Sequence, residues 1–277
     1  MKLENSINRL GSQGRIPLEI HSSLKSAVQG ELFPLATILE APNEQTADAW
    51  GEVIAEDGHR YTVKADKGGQ FVRAAEWIFT HIAERLNISC ATPKIIKLND
   101  GRMLFGSRHL SGTADAVTTA EILTSLTLGS SGTQIPGLQS LLSGVYALDM
   151  FANNVDRHEG NYLSVDTYGT RRFSVIDFGR SLIIGGDPEA FPDSFHNTVS
   201  TGRKIRQRHG FDLSAGNAIL DRLLDLAPAF IKEKMDAMPD GWLTESDKNQ
   251  FLDWWSSSRR PAKIERLRKG LIDGTRL

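Results

Sequence analysis

The apolar residues of this chain shift from a mainly strand-like to a mainly helical period near residue 111, and that shift limits the folds open to it. Upstream of it the pattern is strand-like. Phe33–Leu39 is apolar, and Trp50–Ala55 and Arg60–Ala65 flank Glu56-Asp57-Gly58-His59, whose Asp-Gly pair favours a tight hairpin turn. Lys94–Leu98 and Arg102–Phe105 flank a second such signal, Asn99-Asp100-Gly101. Paired short strands of this kind predict an antiparallel sheet. One amphipathic helix interrupts them over Gln70–Leu86, where Phe71, Ala75, Ile78, Ile82 and Leu86 recur at three- and four-residue steps; Pro93 bars any continuation. Downstream the pattern is helical. Ala116, Ala120, Leu123 and Leu126 share one face, and Leu138, Leu141, Leu142, Val145, Leu148 and Ala152 share another, with a Gly129–Gly132 loop between them. After Phe151 come a polar loop, two short strands (Tyr162–Val165 and Arg172–Ile176) and an irregular segment to about Thr201. Helices then cover Ala215–Ala227, Pro228–Met238 and Thr244–Ile272, the last broken or kinked at Pro261.

This order predicts an α+β, bilobal chain: an N-terminal extension over 1–30 with weak helical character around Ile20–Val28, a β-rich lobe with one helix over 31–110, a connector near Gly106–Gly112, and a mostly helical lobe over 111–277. A crevice between two such lobes is a natural small-molecule site. At 277 residues the chain can bury a sizeable core. Its net charge of -2 gives no global field that would draw it to nucleic acid or an anionic membrane. The lone cysteine, Cys90, cannot form an intrachain disulfide, and it reads as a small buried apolar residue. The N-terminus lacks the apolar core of a signal peptide, and no apolar run is long enough to span a bilayer. These features predict a cytoplasmic protein.

The chemistry is concentrated in Asp156-Arg157-His158-Glu159-Gly160-Asn161 and in Ile176-Asp177-Phe178-Gly179. Phosphoryl transfer asks for an acceptor hydroxyl held by a hydrogen-bond acceptor and for metal ions that neutralise phosphate oxygens. Magnesium takes oxygen ligands and keeps several waters, so one or two carboxylates plus an amide suffice. Asp156 and Asn161 share a polar loop, one free to face an acceptor and the other a metal. Asp177 follows an apolar strand, where a carboxylate can bridge a metal to phosphates. Taken alone, Asp156 and Asn161 would more commonly cap turns.

The D-R-H-x-x-N and D-F-G elements formed by Asp156, Arg157, His158 and Asn161 and by Asp177, Phe178 and Gly179 resemble those of HipA-like kinases, and also those of the phosphatidylinositol 3- and 4-kinases. The resemblance covers about residues 33–200. It implies a protein-kinase-like fold that uses ATP and Mg2+, with Asn161 and Asp177 on the metal and Asp156 orienting or deprotonating the acceptor. His158 either assists proton transfer or organises the loop. It also implies that Lys64, at the end of an alternating strand, contacts nucleotide phosphates and pairs with Glu76, which lies at the edge of the helix's apolar stripe. Met103–Arg108 resembles the strand and hinge whose backbone binds adenine, which would place Phe105, Gly106, Ser107 and Arg108 against the nucleotide. The chain departs from the family at Glu40–Asp48, which has no glycine where a phosphate loop is common.

The resemblance implies a protein serine or threonine as acceptor. A phosphoinositide is the alternative, and the stretch Arg180–Thr201 argues against it, because it sets Asp187, Glu189 and Asp193 against Arg180 alone. A different class of reading is a nucleotide-binding pseudokinase, one half of a toxin–antitoxin-like or regulatory complex. The basic run Arg203–His209 reads as a solvated face, and Trp254-Trp255 as core.

Overall fold

Turn chemistry sets the first strand pairs. The computed structural model describes residues 33–43, 49–124, 135–167 and 170–277. Strands β1 (Leu35–Pro42), β2 (Ala49–Ala55), β3 (Arg60–Lys64), β4 (Pro93–Lys97) and β5 (Met103–Arg108) surround helix α1 (Val72–Arg85) in the chain order. In the β2–β3 turn, Gly58 adopts φ 78°, Asp57 Oδ1 accepts from the His59 amide at 3.0 Å, and Asp57 Oδ2 accepts from the Tyr61 hydroxyl at 2.6 Å. In the β4–β5 turn, Gly101 adopts φ 88° and Asp100 Oδ1 accepts from the Arg102 amide at 3.0 Å. The two hairpins fall where the sequence placed them.

The sheet differs from the expected antiparallel one in being closed. β1 pairs antiparallel with β2 and parallel with β4, Leu35 opposite Ile96 and Ala36 opposite Lys97, so the order β1-β2-β3-β5-β4 forms a small barrel. Closure removes two open edges, and the inside-facing Val53, Ala55, Tyr61, Val63, Ile96, Leu98 and Leu104 form a separate apolar core. Strand β5 also runs further than expected. Gly106 pairs with Val63 on one side and Lys94 on the other, and Ser107 pairs with Thr62 and Pro93. The connector therefore begins after Arg108, not at Gly106. The glycine serves packing, since a Cβ there would lie 2.5 Å from Ile96 Cγ1.

Helix α1 is buried on nearly every side, from Val72 to Ala83. It therefore needs partners beyond the barrel, and the C-terminal helices supply them. Trp77 Nε1 donates to Lys234 O at 2.8 Å, Arg222 donates to Leu86 O at 2.6 Å, and Trp242 Nε1 donates to Met103 O at 3.1 Å. One continuous core accordingly joins α1 to the helical remainder. The helix ends at Arg85, and Asn87 just beyond it takes φ 62°, well before Pro93; Pro93 instead opens β4.

The remaining described elements are α2 (Ala116–Thr124), α3 (Leu138–Ala152), the hairpin of β6 (Tyr162–Thr167) and β7 (Thr170–Val175), and helices α4 (Asn197–His209), α5 (Leu213–Asp225), α6 (Pro228–Asp236), α7 (Glu245–Ser256) and α8 (Arg259–Ile272). Pro34–Leu277 makes one compact α+β unit. Two expectations change. The irregular segment ends at His196, because α4 buries only Thr198, Val199, Thr201 and Ile205 and so shows little apolar period. The break in Thr244–Ile272 lies at Ser257, whose amide and hydroxyl bond Trp254 O, while Pro261 sits in the first turn of α8, where a missing N–H costs no helical bond. The expected extension over 1–30, the Gly129–Gly132 loop and residues 44–48 of the glycine-free segment lie outside the described residues. Among the described residues, no helix is long and apolar enough to cross a membrane.

Trp254 and Trp255 are buried in the helical core, as the sequence suggested. Beside them Lys263 is fully buried, its Nζ 2.8 Å from Pro188 O and 5.1, 5.5 and 5.9 Å from the ring centres of Phe191, Phe151 and Trp254. Burial pushes this ammonium down to about 7; nearby Glu189 and Asp187 pull upward and Arg266 pushes down. The unfolded chain thus binds the proton more strongly than the folded one between pH 7 and the ordinary lysine range, so this residue makes stability rise with pH there. Lys263→Met should raise the thermal midpoint at pH 7, and its advantage over the wild type should shrink as pH climbs toward 10. A constant difference across that range would show that Lys263 does not titrate in the fold.

Candidate active site

Strand alternation explains the placement of Lys64. Tyr61 and Val63 point into the barrel, so Lys64 points out, toward α1. Its cross-strand partner Phe105 lies on the same face and belongs to the core shared with α1. On α1, Glu76 is buried and faces the strand. Lys64 Nζ lies 2.5 Å from Glu76 Oε1 and 2.7 Å from Asp177 Oδ1. Asn161 Nδ2 donates to Asp177 Oδ2 at 3.3 Å. Lys64, Glu76, Asp177 and Asn161, distant in sequence, thus meet.

Charge sharing governs their protonation. Burial works against ionising Asp177, but Lys64 outweighs it, with help from Arg157, and holds the carboxyl at about 2. Burial raises Glu76, and the nearby Asp177 charge adds to that, so Glu76 is the member of the pair that takes up a proton first. Lys64 loses from its own burial, yet the two carboxylates hold it above the ordinary lysine value. The other oxygen of Glu76, Oε2, accepts from the Phe178 amide at 3.0 Å. This bond ties α1 to the segment carrying Asp177. It also explains Gly179, where a Cβ would lie 2.9 Å from Val72 Cγ1 and 3.3 Å from Glu76 Oε1.

Asp177 adopts φ 67°, a left-handed conformation uncommon outside glycine and costing on the order of 1–3 kcal/mol. A second buried ion pair stabilises its surroundings. Asp149 of α3 receives Arg157 Nε at 2.7 Å and Nη2 at 2.9 Å, and also Asn154 Nδ2 at 2.8 Å. The same guanidinium donates to Ile176 O, immediately before Asp177, and lies 4.7 Å from the ring centre of buried Phe178. Arg157 therefore anchors the loop to α3 and to the segment carrying Asp177. Asp149 was missed by motif reading; the available signal was a carboxylate in the middle of an otherwise apolar helical face.

The loop from α3 to β6 is built from short local bonds. His158 Nδ1 accepts from the Gly160 amide at 3.1 Å, and the His158 amide donates to Asn161 Oδ1 at 2.8 Å. His158 thus caps the single 3-10 turn Glu159–Asn161. Asn161 O accepts from the Ile176 amide at 3.0 Å, which joins this loop to the Asp177 segment. Asp156, half-buried, receives Asn197 Nδ2 on its Oδ1 at 2.5 Å.

Asp177 and Asn161 carry the oxygen groups a hard divalent cation takes, although it is Asn161 Nδ2 that faces Asp177 while Asn161 Oδ1 accepts from the His158 amide. The Asp177 side chain is ionised and 31% exposed, and an amide oxygen with one hydrogen bond keeps a second lone pair. Met103–Arg108, expected to meet adenine through its backbone, forms strand β5. Phe105 flanks Lys64. Gly106 faces the barrel interior, Ser107 is paired within the sheet, and the Arg108 guanidinium bonds the His59 ring at 2.7 Å, beside the β2–β3 turn. In the glycine-free segment, Glu40 Oε1 accepts from the Thr37 hydroxyl at 2.6 Å and the Asn99 amide at 2.7 Å.

A family model described as HipA-like kinase matches residues 53–262 of the chain. The fold is similar to that of the proinflammatory kinase CtkA of Helicobacter pylori, with a TM-score of 0.52 at 14% identity, over 86% of this chain and 99% of that one. It also matches the HipA toxin–antitoxin system of Shewanella oneidensis MR-1, solved with HipB and operator DNA, with a TM-score of 0.45 at 14% identity, over 96% of this chain and 76% of that one. No curated protein sequence matches the chain. At such identity the likeness to CtkA speaks for the fold, a kinase-like α+β architecture.

The Asp149–Arg157 pair generates a stability test. Asp149→Asn leaves a buried guanidinium without its counter-charge and should cost about 3–5 kcal/mol in urea denaturation. Adding Arg157→Met should recover part of that loss. An unchanged urea midpoint for Asp149→Asn would rule out the anchoring role.

Proposed function

Because the chain belongs to the HipA-like kinase family and is a phosphotransferase, we propose that it takes the γ-phosphoryl group of ATP and transfers it to a serine or threonine hydroxyl of a protein. The observation that carries this reading is Lys64, held at 2.5 Å from Glu76 and 2.7 Å from Asp177 with Asn161 alongside. In the proposed bilobal arrangement, the barrel with α1 (31–110) and the helical part (111–277) are the two lobes that enclose the nucleotide.

Lys64 contacts the nucleotide phosphates, and Glu76 fixes its position. Asp177 and Asn161 hold Mg2+, which when bound neutralises charge on the phosphate oxygens. Asp156 accepts a hydrogen bond from the acceptor hydroxyl, orients it and takes its proton, while His158 supports the loop and is the secondary candidate for proton transfer. With Phe105, Gly106 and Ser107 engaged in the sheet, adenine's backbone partners fall to the connector beyond Arg108. Most of the rate then comes from positioning and fixed charge.

A protein acceptor is favoured over a phosphoinositide by the acidic balance of Arg180–Thr201. Kinship with the phosphatidylinositol kinases stays at the level of the shared motifs. Thr198 and Thr201 in this stretch are buried, which leaves Ser194 and Ser200 as its more accessible hydroxyls. We place the protein in the cytoplasm. Cys90 suits a reducing setting as an inert thiol, since burial pushes it up to about 12.

The test is phosphate transfer by the full chain from labelled ATP with magnesium, offered casein and phosphatidylinositol vesicles in parallel. Label should appear on serine or threonine, and Asp156→Ala and Asp177→Ala should each lower the rate by roughly 100-fold or more. Label in the vesicles alone would favour the lipid reading. Nucleotide binding with no transfer at all would favour a regulatory module.

A further inference from the structure

The first turn of α4 grips the loop that carries Asp156, from 41 residues further along the chain. Two successive side chains do this in different ways. The Thr198 hydroxyl, buried, accepts from the Arg157 amide at 2.9 Å and donates to Asn154 O at 2.5 Å. It holds backbone only. Asn197, the first residue of α4, instead reaches the carboxylate itself, with Nδ2 donating to Asp156 Oδ1 at 2.5 Å. Among the described residues, Asp156 Oδ2 has no hydrogen-bond partner, and the Asp156 amide is occupied by Asn154 Oδ1 at 3.2 Å.

We propose that Asn197 is a positioning residue for phosphoryl transfer: its amide fixes one oxygen of Asp156 so that the other remains free for the acceptor hydroxyl. This rests on the reading of Asp156 given above. The terminal torsion of an aspartate is broad and not held to one rotamer, so a carboxylate at the mouth of a loop needs an external donor to define its plane. A neutral amide does this without adding a positive charge that would compete for the incoming proton. A lysine or arginine in the same place would neutralise the group it orients. The bond lies at the solvent-exposed start of α4, so part of its strength is lost to water until an acceptor covers it.

The bland alternative is that Asn197 only begins a helix. The two roles separate on one isosteric change. An aspartate in the first turn of a helix is favourable for the helix dipole, so Asn197→Asp should be neutral or stabilising if the role is structural. If the role is positioning, the variant replaces a donor with a second carboxylate facing Asp156, and turnover falls.

The experiment measures steady-state ADP release by the full chain with magnesium ATP and casein, alongside the thermal midpoint of each variant. Asn197→Ala should lower kcat roughly 10-fold with the KM for ATP unchanged, and Asn197→Asp should lower it at least as much without loss of thermal midpoint. On an Asp156→Ala background, Asn197→Ala should have no further effect, as expected for residues acting as a unit. Wild-type kcat in Asn197→Asp overturns the proposal, as does a full multiplicative loss in the double variant. If Asp156→Ala itself keeps wild-type kcat, the reading of Asp156 has failed and the proposal falls with it. If Asp156→Ala is inactive while both Asn197 variants turn over normally, only the present inference is lost. Should Asn197→Asp prove unfolded, the Asn197→Ala comparison on the two backgrounds decides alone.

Discussion

Lys64 stands between two carboxylates that come from separate parts of the chain, Glu76 on α1 and Asp177 after β7. Taking three charged groups out of water is costly, and the attraction between them repays it only with close geometry and with the remaining lone pairs satisfied. The structure meets both conditions. The contacts are 2.5 and 2.7 Å, the second oxygen of Glu76 takes the Phe178 amide, and the second oxygen of Asp177 takes Asn161. Displacing the strand, the helix or the loop would expose the other two to an uncompensated buried charge. The barrel, α1 and the Asp177 segment are therefore coupled through one ammonium.

That coupling accounts for how firmly α1 is held. The helix is clamped to the helical part of the chain through Trp77, and the chain just after it through Leu86 O and Arg222. Its apolar residues belong to the same core as those helices. Glu76 is thus brought to Lys64 by packing on the far side of its helix as much as by its own ion pair. The left-handed backbone of Asp177 fits the same pattern. Its strain is offset by the Arg157 bond to Ile176 O, the Phe178 amide bond to Glu76 and the burial of the Phe178 ring.

Local rules in the sequence were reliable where the cause is local. Asp57-Gly58 and Asp100-Gly101 each make a hairpin because a turn needs positive φ and a short acceptor side chain, both contained in a few residues. The stripe of α1 was legible from its period, and the pairing of Lys64 with Glu76 was expected through the resemblance of the motifs. Errors arose where the cause is distant. Gly106 looked like the start of a connector but is a packing glycine set by Ile96 on a neighbouring strand. Pro261 looked like a helix breaker, yet it sits in a first turn because Ser257 had already closed the preceding helix. Asn197 and Asp149 carried no motif, since their partners Asp156 and Arg157 are brought to them by folding.

The sequence by itself determined the two hairpin turns and the amphipathic stripe of α1, because residue type and short-range spacing suffice for these; the residues expected to serve phosphoryl transfer were singled out only through the resemblance of their motifs. Tertiary structure alone decided that the sheet closes into a barrel through a parallel β1–β4 pairing, that α1 is buried on its far side, and that both oxygens of Glu76 and Asp177 are bound while Asp156 is held on one. Those outcomes depend on contacts between residues far apart in the chain, and no local pattern encodes the distance at which two such groups finally meet.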